Sequence, residues 1–311
     1  MWLDLVVIGR NEEVNLNALK LSINKIDKLI NKRIYVDSAS IDNSVTMAKG
    51  FFDFVIELSR NEDLSASLGR KIGASFTEKE WILFLDADME LNDQFTEWLL
   101  NFENVTSNFG FVGKYKDIDR ERNKNRYRVF KSKNGIARYF GGAVLLRRVA
   151  LFEVGNWSSN IYANEEIELY SRMTKKGYKV EIIDQVMVNH YTEIPNTKEK
   201  IMNLFIIKNK KNFIGTSQVF IKAIKERFFI QLFRLQPLPY LLLIFNFLFL
   251  NILIFSHLIA LIWLISSHIL LIIFQKEIKS VILGYIFLYL LIMGLLIQIV
   301  DLAKFKRMKK T

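Results

Sequence analysis

Four short apolar runs, each followed by a stretch with helical spacing, organise the first hundred residues. The runs are Leu3–Ile8, Arg33–Val36, Phe54–Leu58 and Trp81–Leu85. The intervening helices are predicted over Glu13–Ile30, from about Asn43, over Ala66–Phe76 and from about Asp93. Apolar runs of this length between helices are typical of parallel βαβ units. The sequence therefore predicts an α/β fold with a mostly parallel sheet, in which ligands bind beyond the carboxyl ends of the strands.

The distribution of charge separates the chain into two parts. The 311 residues carry a net charge of +11, which by itself suggests nucleic acid or an anionic membrane as partner. Residues 1–194, however, hold 27 basic and 28 acidic side chains, so the whole excess lies in the C-terminal third. This pattern favours membrane lipids over nucleic acid. The chain has no cysteine, which excludes disulfides, thiolate metal sites and a cysteine nucleophile.

Two long runs in the C-terminal third contain no charged residue, Pro237–Phe274 and Val281–Val300. About 20 apolar residues suffice to cross a bilayer as a helix, so these runs predict two transmembrane helices, with three as the alternative. In the longer run, Ser256-His257 or Ser266–His268 is a candidate turn. The predicted organisation is a catalytic domain over 1–194, a basic amphipathic juxtamembrane segment over 195–236, a membrane region over 237–301 and a basic tail over 302–311.

The basic segments that flank the apolar runs predict an orientation. Lysine and arginine next to membrane spans stay on the cytoplasmic side, and the N-terminus shows no signal-peptide pattern. We therefore expect the protein in the cytoplasmic membrane with residues 1–194 facing the cytosol. Within the juxtamembrane segment, Gln218–Gln236 mixes phenylalanines with lysines and arginines, a pattern that favours an interfacial helix over a packing helix of the soluble domain.

The most informative string is the apolar run Ile82–Leu85 followed by Asp86-Ala87-Asp88. Two carboxylates at a strand end can hold one hard cation, Mg²⁺ or Mn²⁺, that also takes phosphate oxygens and water. The alternative is that Asp86 caps a turn and Asp88 is solvated. His190 follows the apolar strand Val186–Asn189 and is a candidate third metal ligand, with a structural histidine as the alternative.

Three further strings carry chemistry of lower specificity. Asp37 and Ser38 follow the second strand, where they can bind a nucleotide or form a turn. Arg70, on the third predicted helix, is a candidate to contact the nucleotide base or the diphosphate. The alternative is a solvated cation. Glu165 and Glu166 begin a helix that ends near residue 176. Acidic residues suit any helix start, but adjacent charges and burial would also raise the pKa of one carboxyl and make it a general base.

Taken together, in this order and over about residues 3–193, the motifs resemble those of the family 2 glycosyltransferases of the GT-A fold. The strings that carry the resemblance are Val6–Glu13, Val36–Asp42, Arg70–Gly73, Asp86–Asp88, Gly141–Ala143, Arg147-Arg148, Gly155–Trp157, Glu165-Glu166, Arg172 and Gly177-Tyr178. Three positions depart from the usual motifs: Ser38 replaces an Asp, Lys71 an Asn, and Glu166 an Asp.

The resemblance implies a GT-A nucleotide-diphospho-sugar transferase with a Rossmann-like sheet, followed by transmembrane helices. It implies an inverting transfer from a nucleotide-diphosphate sugar, with Glu166, or alternatively Glu165, as the base that deprotonates the acceptor. The residues implied on the donor side are Arg10, Asn11, Glu12, Asp37, Ser38, Arg70, Asp86, Ala87 and Asp88. Asp86, Asp88 and His190 would hold a divalent cation, and Gly141, Gly142 and Trp157 would lie on the acceptor side.

The leading hypothesis is a membrane-anchored glycosyltransferase that acts on the hydroxyl of a lipid-linked or surface-glycan acceptor. Transfer onto a polyprenyl phosphate is the first alternative, because that acceptor is already anionic and needs little help from a base. A catalytically silent membrane scaffold is the second. The string Gly9–Glu13 is neither the glycine-rich basic loop of a sugar-nucleotide pyrophosphorylase nor a dinucleotide-binding Gly-x-Gly-x-x-Gly turn.

Overall fold

The computed structural model describes residues 1–60, 64–103, 109–130, 132–196, 199, 210–237, 240–241, 244–246, 248, 262–269, 271, 285, 288 and 292. The chain divides into two compact units, residues 1–200 and 201–311. The division of the chain into catalytic, juxtamembrane, membrane and tail segments stays a prediction.

The first unit begins with alternating strands and helices, as the apolar runs predict. These elements are β1 (Leu3–Gly9), α1 (Glu13–Asn24), β2 (Ile30–Asp37), α2 (Ser44–Lys49), β3 (Phe54–Glu57), α3 (Ala66–Ser75), β4 (Trp81–Asp86), β5 (Met89–Leu91) and α4 (Asp93–Leu100). The second half contains β6 (Gly110–Asp119), β7 (Lys124–Arg128), β8 (Ser132–Lys133), β9 (Ile136–Ala137), β10 (Val144–Arg147), α5 (Arg148–Glu153), α6 (Glu165–Lys175) and β11 (Val180–Tyr191).

These strands form one mixed sheet, with the order β3-β2-β1-β4-β10-β6-β11-β9-β8 in the described residues. The first four strands in this order are parallel. β10, however, runs antiparallel to both β4 and β6, and β5 and β7 add antiparallel pairs to β11 and β6. β6 and β11 run parallel again. The prediction of a mostly parallel sheet is thus correct for the first four strands and for the β6–β11 pair. It is wrong at β10, β5, β7 and the β8–β9 hairpin, which pair in the antiparallel sense.

The prediction of one helix over Glu13–Ile30 is wrong at its C-terminal end. α1 ends at Asn24, a short 3₁₀ turn covers Asp27–Leu29, and Ile30 is the first residue of β2. Ile26 and Ile30 are buried although they lie outside the helix. Their apolar spacing looks helical in sequence because the turn and the strand pack onto the same core.

The core lies on both faces of the central strands. Leu3, Leu5, Val6 and Val7 of β1 are fully buried, as are Trp81–Leu85 of β4. Strands covered on both faces read as continuous apolar runs, which is why β1 and β4 are visible in the sequence. Their carboxyl ends, at Gly9 and Asp86, place the residues that follow at one edge of the sheet.

In the second unit, the structure describes two helices in full, α7 (Lys210–Lys225) and α8 (Phe229–Leu235). Among the residues described, none of the helices combines the length and hydrophobicity needed to cross a bilayer. Most of the two predicted membrane runs lies outside the described residues. Residues 262–269 are helical, so the interpretation of Ser266–His268 as a turn is wrong. The alternative turn at Ser256-His257 and the tail over 302–311 also lie outside the described residues.

Candidate active site

The carboxyl ends of three neighbouring strands bring the predicted donor-side residues together. Gly9 of β1 pairs with Asp37 of β2, and Ile8 pairs with Asp86 of β4. The chain after β4 stays close to β1, because the Ala87 amide donates to the Ile8 carbonyl over 2.8 Å. The register therefore gathers motifs that are up to about eighty residues apart in sequence at the edge where ligands bind in such sheets.

Arg70 lies at the centre of this edge, and its guanidinium joins two motifs. The side chain is 2% exposed. Its Nη2 donates to Asp86 Oδ1 over 2.6 Å and its Nη1 donates to Glu165 Oε1 over 2.8 Å. Glu166 Oε1 lies 3.7 Å from the same Nη1. Arg70 thus connects Asp86-Ala87-Asp88, the candidate metal motif, to the start of α6, and its terminal nitrogens face carboxylates of the protein itself.

Two of the predicted acceptor-side residues pack against this ion pair. A Cβ added at Gly142 would lie 2.0 Å from Asp86 Oδ2 and 2.8 Å from Arg70 Nη2, so any larger residue there would displace the Asp86–Arg70 pair. The Trp157 ring is fully buried, with the Arg70 guanidinium 5.1 Å from its centroid. Gly141 packs against the Tyr115 ring. Their contacts support the geometry of the donor side, and their role toward an acceptor stays a prediction.

α6 presents two adjacent carboxyls in different surroundings. Glu165 is almost fully buried and ion-paired with Arg70, whereas the Glu166 side chain is 23% exposed and more distant from that cation. Burial, reinforced by the charge of Glu165 and opposed by Arg70, raises the pKa of Glu166 to about 8. A carboxyl with a pKa near neutrality is suited to accept a proton. The assignment of Glu166, or alternatively Glu165, as the base stays a prediction.

Arg172, in the last turn of α6, holds the loop that contains Trp157. It donates to Glu168 Oε1 over 2.6 Å and to the Asn156 carbonyl over 2.9 Å, and Glu168 in turn accepts from Ser158. This buried network ties α6 to residues 154–158. The network therefore sets the distance between the start of α6, with Glu165 and Glu166, and the Trp157 ring that packs against Arg70.

Asp88 presents a carboxylate oxygen that a cation can bind. Its Oδ1 is buried and has no hydrogen-bond partner in the described part of the chain. An unpartnered carboxylate oxygen is costly unless a ligand completes it, and Mg²⁺ or Mn²⁺ is held by one or two such carboxylates together with phosphate oxygens and water. Asp88 therefore fits a divalent cation. Asp86 is less available, since Arg70 occupies its Oδ1 and burial raises its pKa.

The predicted third ligand lies beside Asp88. His190 Nε2 is 3.4 Å from Asp88 Oδ2, and His190 Nδ1 is 2.9 Å from Asp117 Oδ1. Burial alone would lower the pKa of His190, but the hydrogen bonds to Asp117 and Asp88 outweigh it and raise the pKa to about 9. Within the described residues, no three histidine, aspartate or glutamate side chains are already arranged around one ion. The set Asp86, Asp88 and His190 stays a prediction.

The loops after β1 and β2 brace each other on the nucleotide side. Asp37 is buried and accepts from the Ser40 amide over 2.7 Å, and Ser38 donates through its amide to the Gly9 carbonyl over 2.9 Å. Asn11 Oδ1 accepts from the Ile41 amide over 2.9 Å. These contacts form a loop platform on which Arg10 is exposed.

The pKa of Glu12 reflects the negative charge at this edge of the sheet. It is half-buried, and burial together with the charges of Asp88, Asp86 and Asp42 raises its pKa to about 7 despite a hydrogen bond from Asn15. A divalent cation would relieve the repulsion among carboxylates that are grouped in this way.

Asp117, at this edge, belongs to none of the sequence motifs. It is fully buried in β6 and accepts from Arg126, Arg128 and His190. Its signal in the sequence was the charge alternation of Asp117 and Asp119, which matches that of Arg126 and Arg128 across a hairpin.

Comparison with known proteins agrees with this geometry. Residues 4–158 match the protein family described as Glycosyl transferase family 2. The match ends before α6, so Glu165, Glu166 and His190 lie beyond it. A search of curated proteins finds no significant match.

Solved structures share the fold at low sequence identity. The mannosyltransferase PcManGT from Pyrobaculum calidifontis, in complex with GDP-Man and Mn²⁺, superimposes with a TM-score of 0.57 at 13% identity, covering 94% of this chain and 86% of that one. S. aureus TarS 1–349 in complex with UDP-GlcNAc superimposes with a TM-score of 0.52 at 14% identity, covering 72% of this chain and 73% of that one.

Proposed function

Because the chain belongs to glycosyl transferase family 2 and is a glycosyltransferase, we propose that it transfers a sugar, with inversion, from a nucleotide-diphosphate sugar to an acceptor hydroxyl. The observation that carries this proposal is the sheet edge at which Arg70 joins Asp86 to Glu165 and Glu166, beside the unpartnered Asp88 Oδ1. GDP-Man with Mn²⁺ in the PcManGT structure and UDP-GlcNAc in the TarS structure support the same donor class.

The donor side is formed by the loops after β1, β2 and β4. Asp37 and Ser38 would contact the nucleoside, with Arg10, Asn11 and Glu12 beside them. Asp88 would hold a divalent cation, with Asp86 and His190 as further ligands. Such a cation, when bound, supplies positive charge that stabilises the departing diphosphate.

The acceptor is activated by α6. In its deprotonated form, Glu166 takes the proton of the acceptor hydroxyl, and the resulting oxygen nucleophile attacks the anomeric carbon as the bond to the diphosphate breaks. Arg70 holds Glu165, so that Glu166 alone is left to move the proton. The carbon is attacked on the face opposite the leaving group, which inverts its configuration.

Membrane anchoring completes the proposal. Two transmembrane helices in 237–301, or three, would fix the catalytic unit to the cytoplasmic membrane on its cytosolic side, near a lipid-linked or surface-glycan acceptor. α7 and α8 support contact with anionic lipid, because they expose Ile221, Ile224 and Ile230. Lys225, the last residue of α7, and Arg227, between the two helices, are also exposed. Exposed apolar residues interspersed with basic ones are typical of interfacial helices.

A thermal-shift screen of nucleotide sugars with Mn²⁺ or Mg²⁺ tests the function and finds the donor. A ligand at about 100 times its Kd stabilises the folded chain by about 2.7 kcal/mol. We expect metal-dependent stabilisation by one nucleotide sugar, lost in Asp88→Asn. Asp184→Asn is the matched control, since this aspartate is 94% exposed and pairs only with a surface lysine among the contacts described. No stabilisation by any nucleotide sugar would favour the silent scaffold instead.

Replacement of both glutamates separates the two acceptor classes. A hydroxyl acceptor needs Glu166, whereas a polyprenyl phosphate is already anionic. Turnover that survives in Glu165→Gln/Glu166→Gln would therefore favour transfer onto lipid phosphate.

A further inference from the structure

Four side chains from neighbouring strands lie in a line across the second half of the sheet. In register, Arg126 of β7 pairs with Asp117 of β6, Asp117 pairs with His190 of β11, and His190 pairs with Met89 of β5. Asp88 directly precedes Met89, and its carbonyl accepts from the Tyr191 amide over 2.9 Å. The strand register thus brings Asp117, through His190, next to the metal motif.

Asp117 is held rigidly by its neighbours. The carboxylate is fully buried, with Arg126 Nη2 donating to Oδ2 over 2.6 Å and Arg128 Nη2 donating to Oδ1 over 2.7 Å. A guanidinium group can only donate, so both oxygens of Asp117 accept hydrogen bonds from arginine. Asp117 is therefore an acceptor toward its neighbours.

This acceptor decides where the imidazole carries its proton. His190 Nδ1 lies 2.9 Å from Asp117 Oδ1. An unprotonated Nδ1 would place its lone pair against a carboxylate lone pair at this distance, which is repulsive. Nδ1 therefore carries hydrogen and donates to Asp117, although Arg128 Nη2 is also within 3.1 Å of it. The other nitrogen, Nε2, points toward Asp88.

We propose that Asp117 is a positioning residue of the cation site: it keeps hydrogen on Nδ1 of His190, so that Nε2, beside Asp88, is the nitrogen that exchanges its proton for a cation. Metal-binding histidines commonly donate their second N–H to a carboxylate, which fixes the tautomer and the ring orientation. This inference rests on the proposed function, since it concerns the cation that binds the donor. It also gives the β6–β7 hairpin a role, because Arg126 and Arg128 keep Asp117 in place.

Mn²⁺ binding to the full chain in detergent micelles tests this role. Electron paramagnetic resonance gives the affinity, and pulsed measurements detect the nitrogen of a coordinating imidazole. We expect nitrogen modulation in the wild type and its loss in His190→Gln. Asp117→Asn alone would leave two arginines unbalanced, so the informative variant is Asp117→Asn/Arg126→Gln, with Arg126→Gln as the matched control.

The double variant should bind Mn²⁺ about 10–100-fold more weakly and lose the nitrogen modulation, while Arg126→Gln keeps both. If the double variant keeps the affinity and the modulation, Asp117 does not position the ligand. Modulation absent from the wild type would overturn the inference while leaving the cation site intact. A wild type that binds no Mn²⁺, even with a nucleoside diphosphate, would overturn the cation site as well.

A second measurement covers the case in which the double variant does not fold. The chain contains three histidines, so ¹⁵N-histidine NMR of the Mg²⁺-loaded wild type, assigned with His190→Gln, is tractable. We expect the Nδ1–H tautomer at His190. A protonated Nε2 with bare Nδ1 would overturn the inference.

Discussion

Arg70 Nη2 donates to Asp86 Oδ1 over 2.6 Å, and the same guanidinium donates to Glu165 over 2.8 Å. The buried Arg70 guanidinium therefore sets the geometry between the Asp86-Ala87-Asp88 motif and the start of α6. Three carboxylates surround it, and burial alone would lower the pKa of Arg70, but these carboxylates raise it above its usual value. The roles of Arg70 and of the residues around it can be tested by single substitutions.

Removal of the guanidinium should destabilise the fold strongly. Arg70→Gln leaves Asp86, Glu165 and Glu166 without their cation, and breaking a buried ion pair in this way typically costs about 3–5 kcal/mol. Urea denaturation measures the loss. Lys49→Gln is the control, because its pair with Glu57 is more than half exposed on both sides and should contribute no more than about 1 kcal/mol. Equal losses in both variants would contradict the bridging role.

Gly142→Ala should push the metal motif out of place. The added Cβ would lie 2.0 Å from Asp86 Oδ2 and would force the Asp86–Arg70 pair to move. Overpacking of this kind costs about 1–3 kcal/mol, and we expect weaker donor binding in addition. Gly50→Ala is the control, since the nearest atom to its Cβ would be 3.4 Å away and its φ is −80°. The readouts are thermal unfolding and titration with the donor.

The two glutamates of α6 should differ in what they contribute. Glu166→Gln should reduce kcat by about 10²–10⁴-fold, because a positioned base contributes that much, while donor affinity changes little. Glu165→Gln removes a partner of Arg70 and should lower stability as well as turnover. Steady-state kinetics at saturating donor, with urea unfolding in parallel, separates the two effects. Normal turnover in Glu166→Gln would refute its assignment as the base.

Turnover should rise with pH. As the proposed base, Glu166 would act in its deprotonated form. Its pKa is raised to about 8, so the reactive fraction should be small at pH 7 and increase until about pH 9. A profile of kcat from pH 6 to 10 measures this limb. The prediction fails if turnover is flat over that range while the chain stays folded.

The same shift in pKa implies a stability cost. The pKa of Glu166 is higher in the folded chain than the ordinary value of 4.5, so stability falls as pH rises from about 4.5 to 8 and the full penalty applies above that. Glu166→Gln removes the penalty. We expect this variant to be more stable than the wild type by at least about 1 kcal/mol at pH 9 and to match it near pH 4. Denaturant melts at both pH values check the sign.

The sequence by itself determined the elements of the donor side. The apolar runs of β1 and β4 are continuous because both faces of these strands are buried, and periodicity detects that directly. The residues after the strands, Asp37, Asp86 and Asp88, follow from the same pattern. Local signals end there: the antiparallel pairs of β10 and the end of α1 at Asn24 depend on which distant strand lies alongside, which is not encoded in local spacing.

Only the tertiary structure decided which side chains of the candidate site contact one another. From the sequence, Arg70 is predicted to contact the nucleotide base or the diphosphate. The fold places it between Asp86 and Glu165, which are 16 and 95 residues away. Asp117 carried no motif at all, and strand register brings it against His190. The physical reason is that burial and pairing depend on the neighbours that folding supplies. Residue type establishes which charges a chain carries, and packing establishes which of them face each other out of water.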